Sequence, residues 1–369
     1  MRLKLKNTPE QVELVKAIGS RDQTVAREAS EAFATFLGPV IQKVLLSAGT
    51  ASAIFSDSEY DEDDSPSYPV DLYYGEGAGH VTTWSQTMAG GLPSSLVTGM
   101  QEIKIATYRL DTAVSFLKRY ARRARLDIVS KALERMAQEM LIKQERNAWA
   151  VVMKALVDAN TPTSGSATNK LHVLAKAGSF GIDKFNQLMT LAKRINESWS
   201  GNTAVAPYSN GITDMYVSPE IMQDVRAFAY NPLNTTGKVA GMDHKESLPD
   251  SVREEVYRSA GMSSIYGVNL IELTELGVNK KYNKLFDSLN TSASTPHTFT
   301  QGSDEVLVGL DNSRGAFIRP VARQHDSGGT FSALPDDQWV TRSEKTGFYG
   351  FLEEGRLCID ARAVMGMII

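Results

Sequence analysis

An α+β fold organised around one long helix is what the sequence predicts, on three observations. Residues 127–157, DIVSKALERMAQEMLIKQERNAWAVVMKALV, hold no Gly and no Pro and consist mostly of strong helix formers. Runs rich in β-branched and aromatic residues read as strands: QEIKIATYRL (101–110), GVNLIEL (267–273), EVLVGL (305–310), GAFIRPVAR (315–323), TGFYGFLE (346–353) and RLCIDARAVMGMII (356–369). Shorter amphipathic patterns near 8–47 and from Asp183 supply further helices.

At 1.5 Å per residue the long helix would reach about 45 Å, far beyond the usual three turns. Asp127 is placed to cap its first amides, and its apolar stripe opens at Leu126, Val129, Leu133, Met136 and Met140. A coiled coil would continue that seam through Lys143 and Asn147, so the seam fails there. The stripe drifts instead to Ala137, Leu141, Ala148, Val152 and Leu156, as it does on a straight helix lying across strands. An ordinary long core helix of an α+β enzyme fits the same pattern.

Taken in order, Thr8 to about Ser47 reads as an arm of short helices, with Pro9 in a first-turn position and breaks expected at Gly19 and Gly38. Its apolar faces are thin, so the arm is expected to have little of its own to pack on. From Val44 through Ile103 there is no Lys and no Arg, but there are Asp57, Glu59, Asp61, Glu62, Asp63, Asp64, Asp71, Glu76 and Glu102. Turn residues surround β-rich runs in this stretch, PVDLYY with Tyr73 and Tyr74, and HVTTWS with Trp84. It reads as a long two-stranded ribbon, and an isolated ribbon is marginal in water, so its stabilising surface is expected on another subunit. After strand 101–110 comes KRYARRAR, 118–125, leading into the long helix. TPTSGSATNK (161–170) reads as a polar loop. In DMYVSPEIMQDVRAFAY (214–230), Ser218 and Pro219 mark a strand-to-helix turn with Ser218 as cap, and a further helix is expected near 250–259.

With 369 residues and 42% hydrophobic content, the chain can bury a large core or two modest ones. No apolar run is long enough to span a bilayer, and the start lacks the apolar core of a signal peptide. Cys358, the single cysteine, cannot form an internal disulfide, so synthesis in a cytoplasm is the default expectation. A net charge of −4 argues against broad affinity for nucleic-acid phosphates, although a local patch is compatible with it.

Candidate chemistry is sparse. HDSGG (325–329) resembles the nucleophile sequence of chymotrypsin-like proteases with His in place of the first Gly. That machinery needs a histidine oriented by an acid, and none of His80, His172, His244 and His297 lies in such a segment. A turn between strands is the better reading, with a serine hydrolase using Ser327 as the rival. The run Asp61 to Asp64 lacks the Gly and the spaced Glu of a calcium loop, and GEGAG (75–79) lacks phosphate-loop spacing. No metal, cofactor or catalytic residue is assigned. The strong basic cluster, Lys118, Arg119, Arg122, Arg123 and Arg125 around Tyr120, suits either phosphates or an acidic surface of a neighbouring copy. The net charge favours the neighbouring copy.

This order of arm, long ribbon, strand, long helix, α/β lobe and returning strands resembles the major capsid protein of tailed double-stranded DNA bacteriophages, the Hong Kong 97-type fold. The resemblance rests on IKIATYRLDTAVSFLKRYARRARLDIVSKALERMAQEM, on MYVSPEIMQDVRA and on RLCIDARAVMGMII. It implies an N-terminal arm (1–50), an extended loop (51–104), a peripheral domain with a spine helix (105–205), an axial domain (206–300) and returning strands (301–369). It further implies a non-enzymatic virion subunit that closes, as hexamers and pentamers, into an icosahedral shell. That shell would enclose double-stranded DNA without sequence specificity, with scaffolding, portal and decoration proteins as further partners and no membrane. Asp57, Glu59, Asp61, Glu62, Asp63, Asp64, Tyr73, Tyr74, Trp84, Lys118, Arg119, Arg122, Arg123 and Arg125 are the inter-subunit contact candidates. Some members crosslink their shells through a lysine of the extended loop, and 44–103 has none, so a shell without that crosslink is expected. With Met1 present, no cleavage of the arm is expected either. An encapsulin-like compartment shares the fold and is the first alternative.

Overall fold

The computed structural model describes residues 8–47, 49–62, 64–69, 102–123, 125–158, 173–174, 180–199, 211–227, 264–293, 296–324, 329–336 and 344–369. Its elements, in chain order, begin with α1 (Pro9–Ile18), α2 (Gln23–Ser47), α3 (Ala51–Ile54), β1 (Ser56–Asp61), β2 (Ser67–Pro69), β3 (Glu102–Lys104), β4 (Tyr108–Leu117), α4 (Lys118–Arg122) and α5 (Leu126–Asp158). There follow β5 (Val173–Leu174), α6 (Ile182–Trp199), β6 (Asp214–Val217), α7 (Pro219–Ala227), β7 (Ser264–Ile265), β8 (Val268–Glu272) and α8 (Lys281–Thr291). The chain closes with β9 (Val306–Leu310), β10 (Phe317–Arg323), β11 (Ser332–Asp336), β12 (Lys345–Glu354), β13 (Leu357–Cys358) and β14 (Val364–Ile368). The mixture of helices and sheets is the predicted α+β class. Two compact units emerge: one from the described residues up to Pro69, with Gln101–Ala148 and Phe317–Leu357, the other from Trp149–Ala316 and Cys358–Ile369.

In the first unit the sheet is built on β12. It pairs antiparallel with β4 along its whole length, from Lys345↔Leu117 to Glu354↔Tyr108, and on its other edge with β11 and, at Val321↔Glu354, with β10. Beside β10 lies β1, parallel, from Ser56↔Ile318 to Asp61↔Arg323. The core joins Val129, Leu133, Met136 and Met140 of α5 to Phe33, Leu37 and Ile41 of α2, Val15 and Ile18 of α1, and Phe348 and Leu352 of β12.

Three expectations change here. The segment 8–47 does not lack a surface of its own, because α1 and α2 bury large side chains in this core. The break expected at Gly38 is absent: α2 runs through Gly38 and Pro39. Ala34, Leu37 and Ile41 are buried on both sides of that pair, and this packing outweighs the local helix penalty of Gly and Pro. Strand 101–110 is interrupted, with β3 ending at Lys104 and β4 running from Tyr108 to Leu117, where Leu110 and Phe116 are buried.

The break at Gly19 is present, and tertiary packing requires a glycine there. A Cβ there would lie 2.6 Å from the backbone nitrogen of Arg122, so only glycine lets α4 approach this closely.

In the second unit a six-stranded mixed sheet runs β5-β14-β9-β6-β8-β7. Strands β9 and β14 are buried along their length, and Phe185, Leu188 and Ala192 of α6 share a core with Met215, Val217, Ile221 and Val225. The drifting stripe of α5 supplies Trp149, Val152, Met153 and Leu156, all fully buried, and Trp149 meets Tyr216 edge-on at 5.0 Å and stacks on Tyr282 at 5.2 Å. The Ser218 hydroxyl accepts from the Ile221 amide at 3.2 Å, the predicted cap of α7. Helix α8 was not foreseen. The helix expected near 250–259 and the loop 161–170 lie outside the described residues.

Candidate functional site

The acidic candidates do not all sit on a ribbon. Asp57, Glu59 and Asp61 lie on β1, an edge strand of the first unit's sheet, with Glu62 and Asp64 just beyond it; the pairing of β1 with β10 is what corrects their placement. Glu59, Asp61, Glu62 and Asp64 are exposed. Of the stretch expected as a ribbon, β2 and β3 pair antiparallel through Ser67↔Lys104, Tyr68↔Ile103 and Pro69↔Glu102, and residues 70–101 lie outside the described residues. Asp63, Tyr73, Tyr74 and Trp84 lie outside the described residues, as does Ser327.

Next to β1, on the β10 and β12 strands, lies a buried charge cluster around Glu354, which is fully buried. Its carboxylate accepts from Arg319 Nε at 2.8 Å, Tyr108 Oη at 2.8 Å, Gln144 Nε2 at 3.1 Å and Arg356 Nε at 3.3 Å. Arg319 also reaches Asp57 at 3.3 Å, and Arg356 lies over the Phe55 ring at 4.9 Å. Burial, with the Glu354 carboxylate alongside, pushes the Tyr108 phenol up to about 12, so it stays a neutral donor. Tyr60 and Thr107 both donate to Glu353, at 3.1 and 2.7 Å, and burial is the main reason Tyr60 also rises to about 12. Further along the chain, Glu145 of α5 accepts from Thr50 Oγ1 at 2.9 Å and the Ala51 amide at 3.0 Å, fixing the start of α3. Through Thr50, Ala51, Asp57 and Tyr60 these contacts tie the chain on both sides of α3 to α5, β10 and β12. Sequence reading passed over Arg319, Glu354, Arg356 and Glu145; the available signal was a charge inside an apolar strand, as in FIRPV and FLEEG.

The basic candidates divide. Lys118 is buried, which removes it from the surface patch. Arg122 donates from Nε to the Gly19 carbonyl at 2.7 Å and so ties α4 to the end of α1. Arg119 lies 5.0 Å from the Tyr120 ring centroid and donates to its hydroxyl at 3.2 Å. The side chains of Arg119, Arg122, Arg123 and Arg125 are exposed and form no ion pair among the described residues. In the second unit, burial and the neighbouring Asp360 carboxylate push the Cys358 thiol up to about 12, so it stays protonated. Among the described residues no cluster of His, Cys, Asp or Glu is arranged to hold a metal, and no helix is long and apolar enough to cross a membrane.

No protein-family model and no curated protein matches the chain. Among solved structures it is similar, over most of its length, to shell-forming proteins. The capsid of cyanophage P-SCSP1u aligns at 12% identity and TM-score 0.48 over 85% of this chain and 86% of its own. The capsid of an empty GTA particle aligns at 13% and 0.49 over 87% and 90%, and the SrpI encapsulin complex from Synechococcus elongatus at 9% and 0.43 over 87% and 88%. None of these scores reaches 0.5, so the residues of this chain have to carry the functional reading.

Proposed function

We propose that this chain is a structural subunit of a tailed-phage-type capsid, many copies of which close into an icosahedral shell around double-stranded DNA. The observation that carries the reading is a division of charge. Exposed Arg119, Arg122, Arg123 and Arg125 form no ion pair among the described residues, and the same chain carries the exposed acids Glu59, Asp61, Glu62 and Asp64 in a stretch, 44–103, without Lys or Arg. Complementary patches of this kind steer copies into register, each copy offering the surface the next one needs. The pairing of β2 with β3 supports it further, because it brings Pro69 and Glu102, the two ends of segment 70–101, to one point. The role is mechanical and non-enzymatic, the place is the virion, and hexamers and pentamers are the assembling units. Scaffolding, portal and decoration proteins are the further partners. No covalent crosslink joins the subunits, since residues 44–103 offer no lysine.

Sedimentation of purified chain tests this. Wild type is expected as fast, uniform particles, and Arg119→Glu, Arg123→Glu and Arg125→Glu together as slow, folded subunits. A triple variant that assembles like wild type would overturn the charge argument. Nucleic-acid content separates a genome shell from an encapsulin-like compartment, and boiled particles are expected to run as single chains.

A further inference from the structure

Among the described residues β4 pairs with β12 alone, so one side of this ten-residue strand is open. The phase of the ladder says which groups face that side. Lys118, one step beyond Leu117↔Lys345, donates its amide to the Glu344 carbonyl at 2.8 Å, and an antiparallel pair exchanges bonds at every second residue. The even-numbered residues of β4 therefore bond β12. Arg109, Asp111, Ala113 and Ser115 turn their amides and carbonyls outward, where no described group meets them. Such a row is a template for another strand, and proteins commonly guard it. The sheet's other edges are guarded: β1 carries Asp57, Glu59 and Asp61, and Pro335 leaves β11 without a donor at that position. Strand β4 holds no Pro, no Gly and no Lys. Its two charges are drawn onto its own sheet face, where Arg109 donates to Asp111 at 2.8 Å and lies 3.9 Å from the Phe351 ring centroid.

The strand's own sequence selects the occupant. About Ala113 it is symmetric in size and polarity: Thr112 matches Val114, Asp111 matches Ser115, and Leu110 matches Phe116. Within the shell reading, on which this rests, we infer that β4 pairs antiparallel with β4 of a second copy across a two-fold axis at Ala113, so that two sheets become one. The small Ala113 side chains meet on the axis, where like charges would repel. Asp111 faces the Ser115 hydroxyl of the second copy as acceptor to donor. Leu110 faces Phe116 of the second copy on the side that packs the core, which continues the apolar layer of each unit. A two-fold contact requires this self-complementarity, and once made it leaves neither β4 edge open.

Hydrogen exchange on wild type reads the pairing, in dilute subunits and in particles. The amides of Asp111, Ala113 and Ser115 are expected to exchange fast in subunits and slowly in particles, while those of Leu110, Thr112 and Val114 stay slow in both. Ala113→Lys and Ala113→Glu each set like charges opposite each other on the axis. Each chain alone is expected to melt as wild type does and to need about tenfold more protein to assemble. An equal mixture of the two chains is expected to assemble near the wild-type concentration, because opposite charges then meet. If the odd-numbered amides exchange as fast in particles as in subunits, or if both variants assemble like wild type, the inference fails and the shell reading stands. Impaired variants that the mixture does not rescue rule out a two-fold through Ala113. If wild type forms no particles, the shell reading fails and takes the inference with it.

Discussion

Replacing Glu354 with Gln removes the carboxylate that faces two buried guanidinium groups. Glu354 is 0% exposed at its side chain and Arg319 and Arg356 are 6% and 2% exposed, so neither cation can turn to water. Asp57 cannot take over: it is 39% exposed and meets Arg319 only at 3.3 Å. Breaking a buried pair by neutralising one partner costs about 3–5 kcal/mol, because the desolvated partner stays behind. Glutamine keeps one acceptor for Tyr108 or Gln144, which places the loss toward the lower end of that range. Asp57→Asn, by contrast, removes a half-exposed partner and should cost less than about 1 kcal/mol. Since a whole domain is typically stable by about 5–15 kcal/mol, only the first change should be felt as a large fraction of the total. Hydrogen exchange of the amides paired across β4 and β12 reads the local effect, and urea unfolding reads the global one, with a midpoint lowered by up to about 1 M. Substituting Glu354→Leu, Arg319→Met and Arg356→Leu together should recover much of the loss, since no stranded charge remains. A Glu354→Gln protein as stable as Asp57→Asn would refute the view that Arg319 and Arg356 depend on the Glu354 carboxylate.

Three other outcomes are expected. Arg122→Ala loses the 2.7 Å bond to the Gly19 carbonyl and should loosen α1 by about 1 kcal/mol, discounted for solvent, read as faster proteolysis near 19–22. Gly347→Ala places a Cβ 2.5 Å from the Val114 carbonyl oxygen, so β4 and β12 must part; a loss of about 1–3 kcal/mol should lower Tm by several degrees. Burial first, then the Glu220 and Asp224 carboxylates, hold Glu305 above the ordinary glutamate value against the opposing Ser218 hydrogen bond. The folded state therefore binds that proton more tightly: stability from this group is fully present below the ordinary value and declines as pH rises through the raised one. Glu305→Gln should gain on wild type over that same rise and hold a constant difference above it, and a pH-independent difference would refute the assignment.

The long helix was legible because thirty-odd residues without a breaker leave little choice, and its drifting stripe named Ala148, Val152 and Leu156 before any contact was seen. Ser218 and Pro219 announced α7 for the same local reason. The failures share a different cause. Gly38 and Pro39 carry a strong local signal that the buried faces of Ala34, Leu37 and Ile41 override. SDSEYD looked like ribbon because its partner, β10, lies more than 250 residues away in sequence and pairs in parallel, which no local pattern reports. Arg319 and Glu354 were missed as a pair for the same reason, and Lys118 was taken for a surface charge although it sits in the first turn of a helix packed on the body. Of the site, the sequence showed which residues carry charge; it could not show which of them the fold had already used.

Electron microscopy of the purified chain tests the central claim most directly. Closed particles of uniform diameter with five-fold vertices are predicted. A field of separate subunits at every concentration, with segment 70–101 protected from exchange within the single chain, would contradict it.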